Sequence, residues 1–430
     1  MPVPSQRRVA ALVTLLTLVS AGLSGCSPEQ PDTPKGKRSG AAGTTEAKPP
    51  APKPAGAPGD ILVGGRPVTG SVPSGNAKFP FRRTYTDGEL YAPVTGYRSL
   101  AFGATQLEKI LQEDLDAGKD VTTTIDPVVQ RTAFDALRSR TGAAAALDAR
   151  TGEILALVST PSYNPNSFSG YATSDEKAWK QLNADADKPL YNRAMRDLHN
   201  PGSAAHVVVA AAALEKGLLA SVDAPTRSPA VHTVPDGSVQ FSGDPAHCTD
   251  ASLRAALRYD CQNVFARLAT DLGAETLAVT AEGFGFNTEQ MDTPARVFES
   301  KWPRRPGNAS QLALTANGLL DTTATPLQMA IVMAAIGNDG NWTSPRMVTD
   351  PKTPAPSRRA VSQHTAEQLR LAVDGSANAW VPSASATWAM AHTKSPGGRP
   401  VAVAVFISSG TDATREAAQI AERVVEAAKR

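Results

Sequence analysis

The stretch that decides the fold is NPGSAAHVVVAAAAL, residues 200–214. An Asn-Pro-Gly turn precedes Ser203, and the valines and alanines that follow predict a buried small-residue helix beginning near this serine. His206 lies one helical turn further along, so the two side chains are expected on the same face. A serine beside a histidine base is a nucleophile arrangement, whereas a serine at a helix N-terminus is more often a simple cap.

The composition predicts a large folded protein and disfavours nucleic-acid binding. The chain has 430 residues, which is enough for one large domain and a smaller one. Lysine and arginine total 43 against 41 aspartate and glutamate residues, and no basic run forms an electrostatic footprint. We therefore expect no nucleic-acid partner.

The N-terminal segment predicts export and lipid attachment. Two arginines at 7–8 precede the apolar run 9–19, which is too short to span a bilayer as a mature helix. The following LSGC resembles a bacterial lipobox, so residues 1–25 form a lipoprotein signal peptide and Cys26 is the lipidation site. An ordinary secretory signal is the alternative. The expected location is the cell membrane, lipid-anchored on its extracytoplasmic face.

Two segments of different composition follow. Residues 26–59 are rich in proline, alanine and glycine, so they cannot bury a core and predict a disordered tether. Residues 60–120 contain the strand-like ILVGG and the turn TDGEL, which predict a small β-containing N-terminal domain.

Residues 121–430 predict an α+β fold. Apolar runs at 143–147 and 154–158 flank the turn DARTG as a hairpin, and ATWAMAHT and RPVAVAVFISS flank KSPGG as another. Alanine-rich helices are expected at 203–216, 251–271 and 326–337. An amphipathic helix with Asp412 as its N-cap closes the chain. Antiparallel strands around a central helical region favour the α+β class.

Several segments resemble the class B penicillin-binding proteins, the cell-wall D,D-transpeptidases of the serine β-lactamase-like fold. They occur in the family's order: TTIDPVVQRTAFDAL, DARTGEILALVSTPSYNPN, NRAMRDLHNPGSAAHVVVAAAALEKG and TATPLQMAIVMAAIGNDGNWTSPRMV. Upstream, GRPVTGS, TDGELYAPVTGY and FGATQLEKIL resemble the family's non-catalytic N-terminal domain. The resemblance implies that residues 121–430 form a penicillin-binding transpeptidase-like domain, with an antiparallel sheet flanked by helices and a helical subdomain.

The family's chemistry is acyl transfer through a serine ester, and its first motif is S-x-x-K. Ser203 occupies the nucleophile's position, but His206 stands where the lysine is expected. A neutral imidazole can accept a proton, so this change alone does not exclude catalysis. However, its shorter reach and directional lone pair do not reproduce an amine on a four-methylene stem.

The second motif, S-x-N, is altered at both functional positions. Asp260 replaces the serine and Gln262 replaces the asparagine. A shift of one residue brings Asn263 nearer the asparagine's place, but no register restores the serine. An aspartate cannot relay a proton as a hydroxyl does.

The third motif, the K-T-G strand, is predicted to be absent. The segment in its place, SANAWVPSAS, contains no lysine. Lys394 falls in the turn of the final hairpin, where we expect it to be solvated. Loss of the strand would remove the carboxylate anchor and part of the oxyanion hole, at roughly 3–4 kcal/mol for each lost donor.

These changes favour a catalytically inactive pseudoenzyme that acts by binding cell-wall or division proteins, or peptidoglycan itself. Two alternatives remain open. The first is penicillin binding or D,D-transpeptidation through Ser203, with β-lactams as ligands. The second is a repurposed hydrolase with Ser203 as nucleophile, His206 as base and Asp260 as orienting group. We expect no metal and no cofactor.

Cys248 and Cys261 remain as a pair if Cys26 carries lipid. An oxidising compartment permits a disulfide, which would stabilise the fold by roughly 3 kcal/mol on the chain-entropy model. The alternative is two unpaired buried thiols, because the sequence does not supply the Cα separation.

Overall fold

The computed structural model describes residues 53–289, 295–350, 352–373, 378–383, 386–408 and 413–430. The predicted signal peptide, the lipidation site Cys26, most of the tether and Asp412 lie outside the described residues. Within the described residues, no helix is both long and apolar enough to cross a bilayer.

The first part of the chain mixes short strands with helices. Its strands are β1 (Ile61–Val63), β2 (Arg66–Pro67), β3 (Thr69–Pro73), β4 (Phe81–Tyr85), β5 (Arg98–Ser99), β6 (Gly103–Ala104) and β7 (Val121–Thr122). Its helices are α1 (Gly88–Thr95), α2 (Gln106–Ile110), α3 (Gln112–Asp116) and α4 (Pro127–Leu137). Strand β1 pairs antiparallel with β2 and parallel with β7. A sheet therefore crosses the predicted boundary between residues 120 and 121.

The remaining elements build the larger part of the fold. The strands are β8 (Gly142–Asp148), β9 (Ile154–Thr160), β10 (Val231–Thr233), β11 (Gln240–Ser242), β12 (Asn341–Thr343), β13 (Ser357–Arg359), β14 (Asn378–Ser383), β15 (Ala386–Lys394) and β16 (Pro400–Ile407). The helices are α5 (Thr173–Ala184), α6 (Arg193–Arg196), α7 (His206–Glu215), α8 (Pro245–Cys248), α9 (Leu253–Tyr259), α10 (Gln262–Gly283), α11 (Ala309–Ala316), α12 (Pro326–Gly337), α13 (Gln363–Val373) and α14 (Ala413–Ala428).

A five-stranded antiparallel sheet lies at the centre, in the order β14-β15-β16-β8-β9. Both predicted hairpins are present in it, as β8–β9 and β15–β16. Every residue of β8, β9 and β16 is buried, so both faces of the sheet are covered. Helices α12, α14 and α4 pack against it. This arrangement confirms the predicted α+β fold.

The alanine-rich helices match the sequence prediction to different degrees. The helix predicted at 326–337 has these bounds, and it is buried along its whole length. The helix predicted from residue 203 starts as a 3-10 turn, Gly202–Ala205, before α7. The helical stretch predicted over 251–271 is divided into two helices. Asp260, with a left-handed φ of 53°, ends α9 and forces the chain to restart as α10.

Gln130 forms hydrogen bonds with the unpaired main-chain edge of β9, the last strand of the central sheet. This buried side chain on α4 accepts the Leu157 N–H at 2.8 Å and donates to the Leu157 carbonyl at 3.1 Å. It also donates to the Leu90 carbonyl at 2.9 Å, which ties α1 to the same edge. Its amide therefore takes the place of a sixth strand at this point and joins the N-terminal segment to the sheet.

We predict that Gln130→Met lowers the free energy of unfolding by about 2–4 kcal/mol, because buried main-chain groups lose their partners. Urea unfolding followed by circular dichroism measures the change. Gln419→Met, at an exposed position of α14, is the matched control and should cost less than about 0.5 kcal/mol. Equal losses in the two variants would contradict the edge-closing role.

Candidate functional site

Ser203 lies in the 3-10 turn that leads into α7 and is only 5% exposed. The neighbouring Gly202 donates its N–H to the Gly318 carbonyl at 3.0 Å. A Cβ on Gly318 would lie 2.2 Å from the Gly202 oxygen, and the φ of Gly318 is +66°. Glycine is therefore required at 318 for the two backbones to meet, and this contact positions the serine turn.

The loop before Ser203 is held from two further directions. The Asn200 amide donates to the carbonyls of Leu320 and Thr322, at 2.7 and 2.5 Å. Trp388, on β15, donates its indole N–H to the Asn200 carbonyl at 3.1 Å. The serine turn is thereby fixed between the central sheet and the loop that follows α11.

His206 is completely buried, and its Nε2 lies 2.9 Å from the Oδ1 of Asn317. The Asn317 Nδ2 donates to the Ala313 carbonyl at 2.8 Å, which leaves Oδ1 as the acceptor facing the imidazole. The proton of neutral His206 is therefore on Nε2, and the lone pair is on Nδ1. The imidazole stacks on Phe265, with the ring centroids 3.8 Å apart, so its orientation is fixed.

Asp260 faces the other side of the imidazole. Its Oδ1 lies 3.5 Å from His206 Nδ1, and both atoms are buried without a hydrogen-bond partner. Burial lowers the pKa of His206, while Asp260 and the Asn317 hydrogen bond act in the opposite direction. The ring is therefore neutral at neutral pH. Two acceptors, a lone pair and a carboxylate oxygen, then face each other with no proton between them.

Ser203 is not connected to this pair. Its hydroxyl makes no hydrogen bond with either nitrogen of His206, although all atoms of both residues belong to the described part of the chain. The predicted grouping of Ser203, His206 and Asp260 is thus only partly assembled. The structure brings the histidine and the aspartate together, and the two ring nitrogens face Asn317 and Asp260.

The loop carrying Asp260 and Gln262 is held by a disulfide. Cys261, between these two residues, is bridged to Cys248, with Cα atoms 5.3 Å apart. Gln262 is exposed at the start of α10. Asn263 is buried and donates to the Cys248 carbonyl at 2.9 Å, so its amide holds the disulfide loop. Neither amide side chain is hydrogen-bonded to Ser203.

The structure has a strand, β14, at the position where the sequence predicted that the K-T-G strand is absent. Strand β14 pairs with β15 at the sheet edge and lies against the turn that contains Ser203. The predicted absence of this strand was wrong, because main-chain pairing along β15 does not require the motif's side chains. The sequence of β14, NAWVPS, contains no lysine, threonine or glycine. Lys394 is exposed at the end of β15, as expected.

Sequence reasoning missed Asn317 and Phe265, which fix the imidazole. The Asn-Gly pair at 317–318 is a recognisable turn signal directly after α11. Nothing in that signal shows that the asparagine side chain meets His206, because the two residues are 111 positions apart.

Two family models match the chain. Residues 142–391 match the penicillin-binding protein transpeptidase domain, and residues 58–134 match the penicillin-binding protein A dimerisation domain. Together they cover the serine turn, the N-terminal strands and most of the central sheet, apart from β16 and the end of β15.

Relatives from mycobacteria are similar over most of their length. The peptidoglycan D,D-transpeptidase PbpA of Mycobacterium tuberculosis is 32% identical, over 86% of this chain and 88% of the relative. PbpA of Mycolicibacterium smegmatis is also 32% identical, over 82% and 84%. A solved structure of M. tuberculosis penicillin-binding protein A as its penicillin G acyl-enzyme superposes with a TM-score of 0.75 at 30% identity. That alignment covers 87% of this chain and 100% of the solved chain.

Acid should destabilise the protein through His206. Its pKa is lowered in the fold, so below about pH 6.5 the unfolded chain binds a proton that the folded chain does not. The free energy of unfolding should fall with decreasing pH, by up to about 1.4 kcal/mol per pH unit until the folded-state pKa is reached. Urea unfolding at pH 7.5 and 5.5 tests this. His206→Gln should show a smaller loss between these pH values, and an unchanged loss would contradict the assignment.

Gly318→Ala should displace the serine turn, because its Cβ meets the Gly202 backbone. We expect the free energy of unfolding to fall by about 3 kcal/mol or more. Gly217→Ala is a matched control, with φ +68° and no atom within 4 Å of the added Cβ. It should cost only the strain of a left-handed alanine, about 1–2 kcal/mol. Equal losses in denaturant melts would show that the backbone contact is unimportant.

Proposed function

Because the chain belongs to the class B penicillin-binding protein transpeptidase family, we propose that it is a catalytically inactive member that acts in cell-wall biogenesis by binding. Its relatives are named peptidoglycan D,D-transpeptidases, which makes peptidoglycan and the proteins that assemble it the natural partners. In this role the protein retains the family's fold and acts at the cell wall, but it does not carry out acyl transfer.

The observation that carries this proposal is that, within the described residues, neither nitrogen of His206 is hydrogen-bonded to Ser203. Acylation of Ser203 requires a group that takes the hydroxyl proton as the ester bond forms. Nε2 already carries a proton, which it donates to Asn317, and Nδ1 faces Asp260. Stacking on Phe265 opposes the rotation that would bring either nitrogen to Ser203. The serine therefore lacks a base in this arrangement.

The surroundings of Ser203 also disfavour an anionic peptide substrate. In the family, the K-T-G strand anchors the substrate carboxylate, but β14 carries no cationic residue. Asp260 supplies a carboxylate where the family has a hydroxyl, so a negative charge lies near the site instead of a proton relay. Both differences weaken the binding of an anionic substrate and the stabilisation of its transition state.

We further propose that the protein is held at the extracytoplasmic face of the cell membrane by a lipid on Cys26. The lipobox-like LSGC, residues 23–26, supports this, and the proline-rich tether that follows gives the folded part reach from the bilayer. Within this proposal the chain acts as a tethered binding protein for cell-wall or division proteins, or for peptidoglycan.

One contact favours a second candidate function. The 3.5 Å approach of Asp260 to His206 Nδ1 is the aspartate–histidine half of a hydrolase triad. A repurposed serine hydrolase would require the imidazole proton to move from Nε2 to Nδ1, where Asp260 would accept it, and Nε2 to exchange its Asn317 partner for Ser203.

Two covalent probes separate these functions. We expect neither a fluorescent penicillin nor a fluorophosphonate to label Ser203, at levels above Ser203→Ala, while M. tuberculosis penicillin-binding protein A is labelled by the penicillin as a positive control. Intact-mass spectrometry measures the adducts. Ser203-dependent penicillin labelling would refute the inactive assignment in favour of the family's acylation. Labelling by the fluorophosphonate alone would favour the hydrolase.

A further inference from the structure

A cavity of about 390 Å³ lies between the N-terminal segment, here residues 60–120, and the transpeptidase domain, residues 121–430. One wall comes from helix α2, through Lys109 and Ile110, and the other from Leu190, Arg196 and Arg296. No residue of the serine site lines it. Its volume is in the range of cavities that bind small molecules.

Two arginines of this cavity make cation–π contacts with the same aromatic ring. The Arg196 guanidinium lies 5.3 Å from the centroid of Phe298, and that of Arg296 lies 5.8 Å from the same centroid. Cation–π contact holds each side chain, but it brings two positive charges to one ring. Mutual repulsion of these charges is reduced when an anion binds between them.

Three cationic side chains line the cavity. Within the described residues, Arg196, Arg296 and Lys109 form no ion pair with a carboxylate, whereas other arginines do. Arg83 pairs with Glu108 at 2.8 Å, and Arg399 pairs with Asp148 at 2.8 Å. With no carboxylate partner for these three cations among the described residues, the cavity has an electrostatic preference for negative ligands.

The rest of the lining combines apolar and neutral polar side chains. The buried Tyr163 forms part of the cavity and packs edge-on against Tyr97, with ring centroids 6.2 Å apart. Ile110 is 43% exposed at the cavity and offers an apolar contact without rearrangement. A ligand with both an anionic group and an apolar or sugar-like face would use both kinds of surface.

Helix α2, which forms one wall of the cavity, is anchored by a buried ion pair. Glu108 is fully buried, and its carboxylate accepts from the Arg83 guanidinium at 2.8 Å inside the N-terminal segment. The adjacent Lys109 is exposed and lines the cavity. A ligand held by Lys109 and the two arginines therefore bridges the N-terminal segment and the transpeptidase domain.

We propose that this cavity is a binding site for a small anionic ligand that carries phosphate or carboxylate groups. Arg196 and Arg296 bind the anionic group through their planar N–H donors, and Lys109 contributes a point charge from the opposite wall. The site is separate from Ser203 and does not depend on whether that serine can be acylated. Because the ligand contacts both walls, its binding stabilises their packing.

Calorimetric titration of the full-length chain with inorganic pyrophosphate and, separately, with citrate tests this proposal. We expect at least one probe to bind and to raise the thermal unfolding midpoint. Arg296→Gln and Lys109→Gln should each weaken binding about tenfold, because each removes a charged donor. Arg66→Gln, an exposed arginine of the N-terminal segment outside the cavity, is the matched control and should change affinity less than about twofold.

The two probes also identify the ligand chemistry. Tighter binding of pyrophosphate supports a phosphate-bearing ligand, and tighter binding of citrate supports a carboxylate-bearing one. Arg196→Gln provides a third test, and its unfolding midpoint without ligand checks the fold. Failure of both probes to bind, or equal weakening by Arg66→Gln and Arg296→Gln, would overturn the proposal. Neither result bears on Ser203, which the covalent probes test independently.

Discussion

The hydrogen bond between His206 and Asn317 determines what the serine site can do. It joins the start of α7 to the end of α11, at the place where Gly318 meets the backbone of Gly202. Once Asn317 accepts from Nε2, the tautomer is set, and Nδ1 must face Asp260. The same contact holds the serine turn in position and engages the Nε2 of His206. Under the proposed inactive function, the local stability of the turn and the lack of a base for Ser203 have one physical cause.

The fold does not require the three family motifs, because the interactions that maintain the fold differ from those that catalysis needs. Strand β14 is held by main-chain pairing with β15, which any suitable strand sequence can supply. The core around β8 and α12 depends on apolar side chains and not on the site. Catalysis, in contrast, depends on individual groups within hydrogen-bond reach of Ser203. Removing these groups leaves the architecture intact, which is consistent with a role in binding.

The proposed anion cavity gives such a binding role a physical basis. It lies where α2 meets the transpeptidase domain, and its cations come from both sides. Gln130 already ties α1 and α4 to the edge of the central sheet, so the two parts of the protein are mechanically connected. A ligand in the cavity would reinforce that connection without involving the serine turn.

The sequence by itself determined the α+β class, both hairpins of the central sheet, the helix at 326–337 and the family, because these follow from local periodicity and motif order. It also predicted that Asp260 lies beside His206. Only the tertiary structure decided the break at Asp260, the presence of β14 and the partners of the imidazole. These depend on a left-handed backbone, on strand pairing and on contacts such as that of His206 with Asn317, 111 residues away. Local patterns carry no information about which distant side chains the fold brings into contact.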